Sequence, residues 1–353
     1  MPDHANDGRP ANACVARRLE RGEEKRWDAF VRDAPRGTFF HWAAWRDVIE
    51  QELGHRSHYL YTERDGEVTG VLPLAEIRSW LFGDALISTP FCVYGGVVAS
   101  DPESEACLTQ AAASLADELR VDYLELRDRE LRHPDWPVKD LYVQFRKPIF
   151  ADDDSNLRAF TADRRRTIRK SIKNDLKAHH DGSADEFYGV YSESVRNLGT
   201  PVLPRRYYAR LQQAFGDACE TTVITHQGQP VATVMNFYFR DEVHTYYGGS
   251  LSRARDLKAN DFMYWAVMRR AVERGARVFD FGRSKQGTGS YEFKQHWGFE
   301  PEPLPYAYHL VRATDVPNVS PTNRKYRLFI EGWKRLPLPV SRAIGPWLAK
   351  DLG

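Results

Sequence analysis

Four local signals recur in the same order in the two halves of this chain, and that internal duplication restricts the fold more than any other feature. In the first half, residues 42–53 are helix-like, with Trp42, Trp45 and Ile49 on one face and a stop at Gly54. Residues 57–62 and 68–74 read as strands joined by a turn at Asp65-Gly66. Tyr94-Gly95-Gly96 follows, then a helix over 104–120 and a strand over 121–127. The second half repeats this series: a helix over 206–215 ends at Gly216, which lies 162 residues after Gly54. Strands over 221–225 and 231–239 flank Gln227-Gly228, and Gly228 again lies 162 residues after Gly66. Tyr247-Gly248-Gly249, a helix over 259–274 and a strand over 277–281 complete the repeat. The Tyr-Gly-Gly pair falls at an offset of 153, which assigns nine extra residues to the first copy, around 78–84.

A unit of helix, hairpin, strand, helix and strand, written twice, predicts an α/β protein of two domains with mixed sheets. The joint is expected between Pro148 and Phe160, where Asp152-Asp153-Asp154-Ser155 makes an acidic, turn-forming break. The expected division is a disordered lead-in over 1–13, domains over 14–150 and 151–312, and a tail over 313–353.

Charge excludes some functions globally and leaves others local. Across 353 residues, 50 lysines and arginines face 49 acids, a net charge of +1 that argues against a generally basic nucleic-acid binder. No apolar run reaches the ~18–20 residues needed to cross a bilayer, and the polar start lacks a secretory pattern. Cys14, Cys92, Cys107 and Cys219 lie far apart without metal spacing, so reduced thiols in a cytoplasmic protein and no metal site are expected.

The second copy is the better equipped. Residues 164–177 hold seven cations (Arg164, Arg165, Arg166, Arg169, Lys170, Lys173 and Lys177) and one acid, Asp175. Ile168, Ile172 and Leu176 at four-residue spacing predict one packed stripe on a helix. Like charges three and four residues apart repel, so an anionic partner explains the cluster better than a solvated face does. After the strand ending at Phe281 comes Gly282-Arg283-Ser284-Lys285-Gln286-Gly287-Thr288-Gly289, then a helix over 290–297. A glycine turn entering a helix N-terminus offers backbone N–H groups to an anion, and Arg283 and Lys285 add charge. The spacing fits neither the Walker A nor the dinucleotide fingerprint. Asp280, Glu292, His244 and Tyr247 are the proton-transfer candidates. In the tail, Trp333, Ile344 and Trp347 alternate with Lys334, Arg335, Arg342 and Lys350, a composition that fits packing on the domain or peripheral contact with an anionic membrane.

These residues carry a resemblance. The run Phe279-Asp280-Phe281-Gly282-Arg283-Ser284, continuing to Tyr291-Glu292-Phe293-Lys294-Gln295-His296-Trp297-Gly298-Phe299, resembles the FemAB family of aminoacyltransferase-like proteins built from two GNAT-type domains. The glycine turn, the basic segment, Pro201-Val202-Leu203-Pro204 and Pro301-Glu302-Pro303-Leu304-Pro305-Tyr306 are similar to its subgroup associated with exosortase/PEP-CTERM systems and extracellular polysaccharide. The resemblance implies two tandem GNAT-like domains and acyl transfer to an amine, with no metal and no covalent enzyme intermediate. It implies Lys294 as the catalytic lysine, balancing charge at the reacting carbonyl or the leaving phosphate-bearing group. Asp280, Glu292 and Tyr247 stand beside it as catalytic candidates from the residues themselves. Arg164, Arg165, Arg169, Lys173, Arg283, Ser284, Lys285, Gly287 and Tyr291 are the expected substrate-binding residues. The donor class comprises aminoacyl-tRNA, acyl-CoA and acyl carrier protein. The expected acceptor is a phosphorylated or lipid-linked envelope precursor, with tRNA as a further candidate partner, and a non-catalytic anion-binding module is the alternative. The chain departs from relatives in lacking a coiled-coil arm and in carrying Gly249-Ser250-Leu251-Ser252-Arg253-Ala254 where acetyl-CoA enzymes have a pyrophosphate loop.

Overall fold

The computed structural model describes residues 14–80, 83–317 and 324–352, so the expected lead-in lies outside the described residues, as does Gly353. The first copy supplies β1 (Ala16–Arg18), β2 (Arg56–Arg64), β3 (Glu67–Ser79), β4 (Gly83–Ser88), β5 (Val98–Ala99), β6 (Tyr123–Leu126) and β7 (Val138–Pro148). The second supplies β8 (Leu176–His179), β9 (Cys219–His226), β10 (Gln229–Phe239), β11 (Glu242–Ser250), β12 (Val278–Lys285) and β13 (Pro301–Leu310). All join one mixed sheet in the order β1-β2-β3-β4-β6-β13-β7-β12-β11-β10-β9-β8, with β5 paired to β3.

The duplication is visible in backbone detail. Asp65-Gly66 has φ of 53° and 84° and Gln227-Gly228 has 51° and 76°, the same left-handed pair that closes a two-residue hairpin. Each copy contains one parallel pair: β4 with β6, where Ile87 faces Glu125, and β11 with β12, where His244 faces Asp280. Counted from the two turns, Val71 paired with Val98 corresponds to Thr233 paired with Gly249. Tyr94-Gly95-Gly96 therefore does not occupy the sheet position of Tyr247-Gly248-Gly249. The first copy instead leaves the sheet between β4 and β5 in a loop carrying positive φ at Thr89 and Phe91, so its extra residues are shared between this loop and the β3–β4 turn.

The two copies exchange their last strands. β7 pairs with β12, while β13 pairs with β6 and β7, so each copy's final strand lies beside the other copy's parallel pair. A cut at residue 150 divides the sequence but not the sheet. Aromatic packing crosses the same boundary, with the Phe39 ring stacked 4.4 Å from that of Phe237. The acidic segment at the joint is not an open turn: the Asp152 side chain caps a short helix, Asp153–Arg158.

The basic helix is shorter than its charge pattern predicts. It spans Ala162–Ile172, after which Asp175, at φ 50°, turns the chain into β8. Leu176 and Lys177 thus belong to a strand, and Ile172 is exposed although Ile168 is fully buried. The tail forms two helices, Arg324–Lys334 and Leu338–Ala349, and the second runs through Pro346. Both pack on the helix Ala184–Leu198: Arg196 donates to the Lys334 carbonyl at 3.3 Å, and Arg342 Nε to Ser192 Oγ at 2.9 Å. Among the described residues, no helix is long and apolar enough to cross a membrane.

Candidate active-site cleft

Parallel pairing between β11 and β12 stops at His244 and Asp280, and the strands then diverge around a cleft of about 620 Å³. One wall is Gly248 and Gly249, another is the start of the helix Ala259–Glu273, and the floor includes Phe281, Phe293 and Lys294. The glycines are sterically required: a Cβ on Gly248 would lie 2.8 Å from Tyr264 Oη, and one on Gly249 would lie 2.7 Å from Ser194 Cβ. Arg255, Lys258 and Lys294 line the cleft with a single acid, Asp261, which pairs with Arg164.

Lys294 is 8% exposed. The helix Gly289–His296, N-capped by Thr288, directs its Nζ back to β12, where it donates to the carbonyls of Gly282 and Arg283 at 3.1 and 2.9 Å. Burial pushes the ammonium down to about 7; Asp280 counters this and Arg283 reinforces it. An amine held near neutrality at a strand divergence can both take and give a proton.

The other expected residues separate into several places. Asp280 is fully buried, and burial opposes its charge, yet His244, Arg129 and Arg146 hold the carboxyl well below the ordinary range. Its Oδ1 accepts from the Gly282 N–H at 2.6 Å and its Oδ2 from Tyr94 Oη at 2.9 Å, so it anchors an irregularity within β12 whose carbonyls meet Lys294. The strand does not end at Phe281 but runs to Lys285, and the turn is confined to Gln286 and Gly287. Glu292 is exposed outside the cleft lining. Tyr247 lies in an aromatic cluster, its hydroxyl 3.0 Å from that of Tyr207, and burial pushes its phenol far up. Among the expected binding residues, Arg164 reaches the cleft through Asp261 and lies over the rings of Phe293 and Trp297. Arg165, Arg169 and Lys173 line a separate surface groove on the basic helix. Arg283 and Lys285 face a different cavity, against the Tyr142 ring. Ser284 is buried with its Oγ unpartnered, Gly287 is an exposed turn residue at φ 69°, and Tyr291 packs on Phe145.

Sequence reasoning missed the first copy's share of this region. Arg129, Arg146 and Tyr94 reach Asp280 only because the strands are exchanged. It also missed Asp261, whose acid at a helix start carries no functional signature by itself. Glu242, His244 and Asp280 place potential ligand atoms within 4.8 Å of one another. Arg146 pairs with both carboxylates and Arg129 lies 3.4 Å from Glu242, so guanidinium charge already balances this cluster.

The cleft between the diverging parallel strands has a glycine-lined wall with a helix start beside it. Residues 162–295 match the family model described as an acetyltransferase (GNAT) domain. Among solved structures, FemX aligns with a TM-score of 0.66 at 15% identity, covering 84% of this chain and 97% of FemX. A tandem GNAT protein from the clavulanic acid biosynthesis pathway aligns at 0.52 and 13% identity, covering 86% of this chain and 99% of that one. The C-terminal domain of a protein assigned as a lysylphosphatidylglycerol synthetase from Agrobacterium fabrum aligns at 0.56 and 13%, covering 81% and 91%. No curated protein sequence matches the chain. At these identities the likenesses establish the fold: the chain is an α/β protein of two tandem GNAT-like units with a C-terminal helical tail.

Proposed function

We propose that this chain is an acyltransferase that moves an aminoacyl or acyl group from a phosphate-bearing donor to an amine on an envelope precursor, from the cytoplasmic side. The observation that carries the reading is Lys294, a buried amine with a pKa near 7 on the floor of the cleft between β11 and β12. As the acceptor nitrogen bonds to the donor carbonyl carbon, neutral Lys294 takes the amine proton. The same proton then passes to the oxygen or sulfur that leaves as the donor bond breaks. No covalent enzyme intermediate is needed.

Arg255 and Lys258 supply the charge expected for a phosphate-bearing donor, while Asp261 on the same wall is neutralised by Arg164. Asp280 acts as a positioning residue through the β12 irregularity at Gly282. The FemAB resemblance favours aminoacyl transfer, and the similarity to the exosortase-associated subgroup makes an extracellular-polysaccharide precursor the first acceptor to try. The neighbour assigned to lysylphosphatidylglycerol synthesis is consistent with aminoacyl chemistry on a phosphate-bearing envelope molecule.

The test supplies purified protein with labelled aminoacyl-tRNA, acyl-CoA or acyl carrier protein together with a membrane-precursor extract. Amide-linked label on one acceptor is expected, with a fall of roughly a hundredfold or more in Lys294→Ala. Transfer at the wild-type rate by Lys294→Ala would remove the lysine from the mechanism. Precursor binding without transfer from any of the three donors would establish the anion-binding module instead.

A further inference from the structure

The first C-terminal helix buries Trp333, but the second exposes large apolar residues that a helix packed only for stability would bury. Leu338–Ala349 meets the body of the protein through small side chains, since Ser341, Gly345 and Ala349 are buried. A Cβ on Gly345 would stand 3.0 Å from the Val202 carbonyl oxygen, so the contact depends on the absence of a side chain. Leu338 and Leu348 are half-buried, while three other large residues point away. Val340, Ile344 and Trp347 are exposed and lie four and three residues apart, which puts them on one stripe. Leu328 and Phe329 on the preceding helix and Leu352 at its far end are exposed as well.

One segment of the body extends this face. Ser79 Oγ donates to Asp351 at 3.1 Å, which sets Trp80, 93% exposed, beside the end of the tail. Gly199, which lines the cavity below and packs against Ile330, follows Leu198, an exposed residue at the rim of the cleft between β11 and β12. Scattered single apolar residues are ordinary on a surface, but a stripe of this kind backed by small packed residues is not.

Beneath the face lies a cavity of about 290 Å³ between the two copies, lined at the tail side by Gly199, Phe329, Ile330 and Leu352. Its inner wall is cationic, with Arg127, Lys139, Arg283 and Lys285 against Glu125 and Asp351. Glu125 is taken by Arg127 at 2.6 Å and Asp351 by Lys350 at 3.0 Å. Arg283 pairs with no carboxylate among the described residues; it donates to Tyr306 Oη at 3.0 Å and lies 4.6 Å over the Tyr142 ring. Burial would raise the Tyr142 phenol, yet Arg283 and Lys285 hold it below its ordinary value, a sign of net positive potential.

We propose that this face docks on an anionic lipid surface and that the cavity beneath it receives the phosphate of a lipid head group. The apolar stripe suits the acyl boundary and the cationic wall suits the phosphate, the combination that distinguishes a membrane from a purely apolar partner. The lipid phosphate rests on this face alone and not on the transfer reaction. The Gly282–Arg283 segment nevertheless links the two sites, since its carbonyls accept from Lys294 while the Arg283 side chain lines the cavity.

Flotation of the full chain with phosphatidylcholine vesicles, with and without phosphatidic acid, tests the proposal. The wild type should float with the phosphatidic acid vesicles. The Ile344→Ser/Trp347→Ser variant, checked for folding by circular dichroism, should lose roughly tenfold or more of that binding. Lys139→Met/Arg283→Met should retain apolar adsorption but lose the preference for phosphatidic acid. Lys294→Ala should float like the wild type, so a failed transfer assay leaves docking independently tested. The proposal falls if the wild type stays at the bottom of the gradient. It also falls if Ile344→Ser/Trp347→Ser only converts a dimer to a monomer, which would make the stripe an interface between copies. Equal flotation of the wild type with and without phosphatidic acid in the vesicles, while inorganic phosphate still protects the chain against thermal unfolding, would assign the cavity to free phosphate and overturn the head-group site.

Discussion

Lys294 shows how placement sets chemistry. In an unfolded chain its amine would hold a proton to near 10.5, whereas burial brings that value to about 7. The unfolded state therefore binds more protons between these limits, and stability rises with pH across that window. Denaturant midpoints should increase from pH 7 to pH 9 in the wild type, and this rise should shrink in Lys294→Met. The reaction should likewise accelerate as pH climbs through about 7, and Lys294→Arg, which stays protonated, should abolish that inflection in kcat/KM. Asp280 makes the opposite case, because, despite burial, its value is depressed by His244 and by two half-buried guanidinium groups, Arg129 and Arg146. Asp280→Asn would leave Arg146 and Arg129 short of counter-charge and is expected to cost about 3–5 kcal/mol in a chemical unfolding curve. Both residues were legible as chemically interesting from the strand–turn–helix run. Their roles were not, because Asp280 is defined by Arg129, Arg146 and Tyr94, which lie more than a hundred residues away in sequence.

Among elements, the readable ones carry their signals locally. Gly54 ends its helix at φ 75°, and Asp101 caps the helix Pro102–Leu119 by accepting from the Ser104 N–H at 2.9 Å. Asp101→Ala should lower stability by about 1 kcal/mol, measurable as a shift in the urea midpoint at unchanged slope. The two hairpin turns were equally plain, since only left-handed pairs close such loops. Elements failed where a competing local preference intervened. The charge run through 164–177 looked like one helix, but Asp175 adopts positive φ and Leu176 finds a strand partner in His226. The repeated Tyr-Gly-Gly likewise concealed two conformations, a loop in the first copy and a strand wall in the second. Periodicity registers composition along one segment and is blind to which neighbouring strand has a free edge.

At the scale of the molecule, strand exchange makes each half incomplete. Without β13, β6 would present an open edge, and without β12, β7 would lack its partner. Residues 14–150 and 151–353 expressed separately are therefore expected to aggregate or remain unfolded, while co-expression should yield a soluble complex detectable by size-exclusion chromatography. Two independently soluble, cooperatively melting halves would contradict this interdependence. The same exchange brings charges from both copies to Asp280 and builds the cationic cavity from β6, β7 and β12.

The sequence by itself determined the duplicated α/β unit, its hairpin turns, the lysine at the strand–turn–helix junction and the local concentration of cations within a nearly neutral chain. Those features depend on contacts within a few residues: turn geometry, helix stops and alternating burial. The tertiary structure decided how the cations divide, sending Lys294 to one cleft, Arg283 and Lys285 to another cavity, and most of the basic helix to the surface. It also decided that the tail would pack through Ser341 and Gly345 and leave Ile344 and Trp347 exposed. Such outcomes follow from strand exchange and close backbone approach, which depend on residues far apart in the chain.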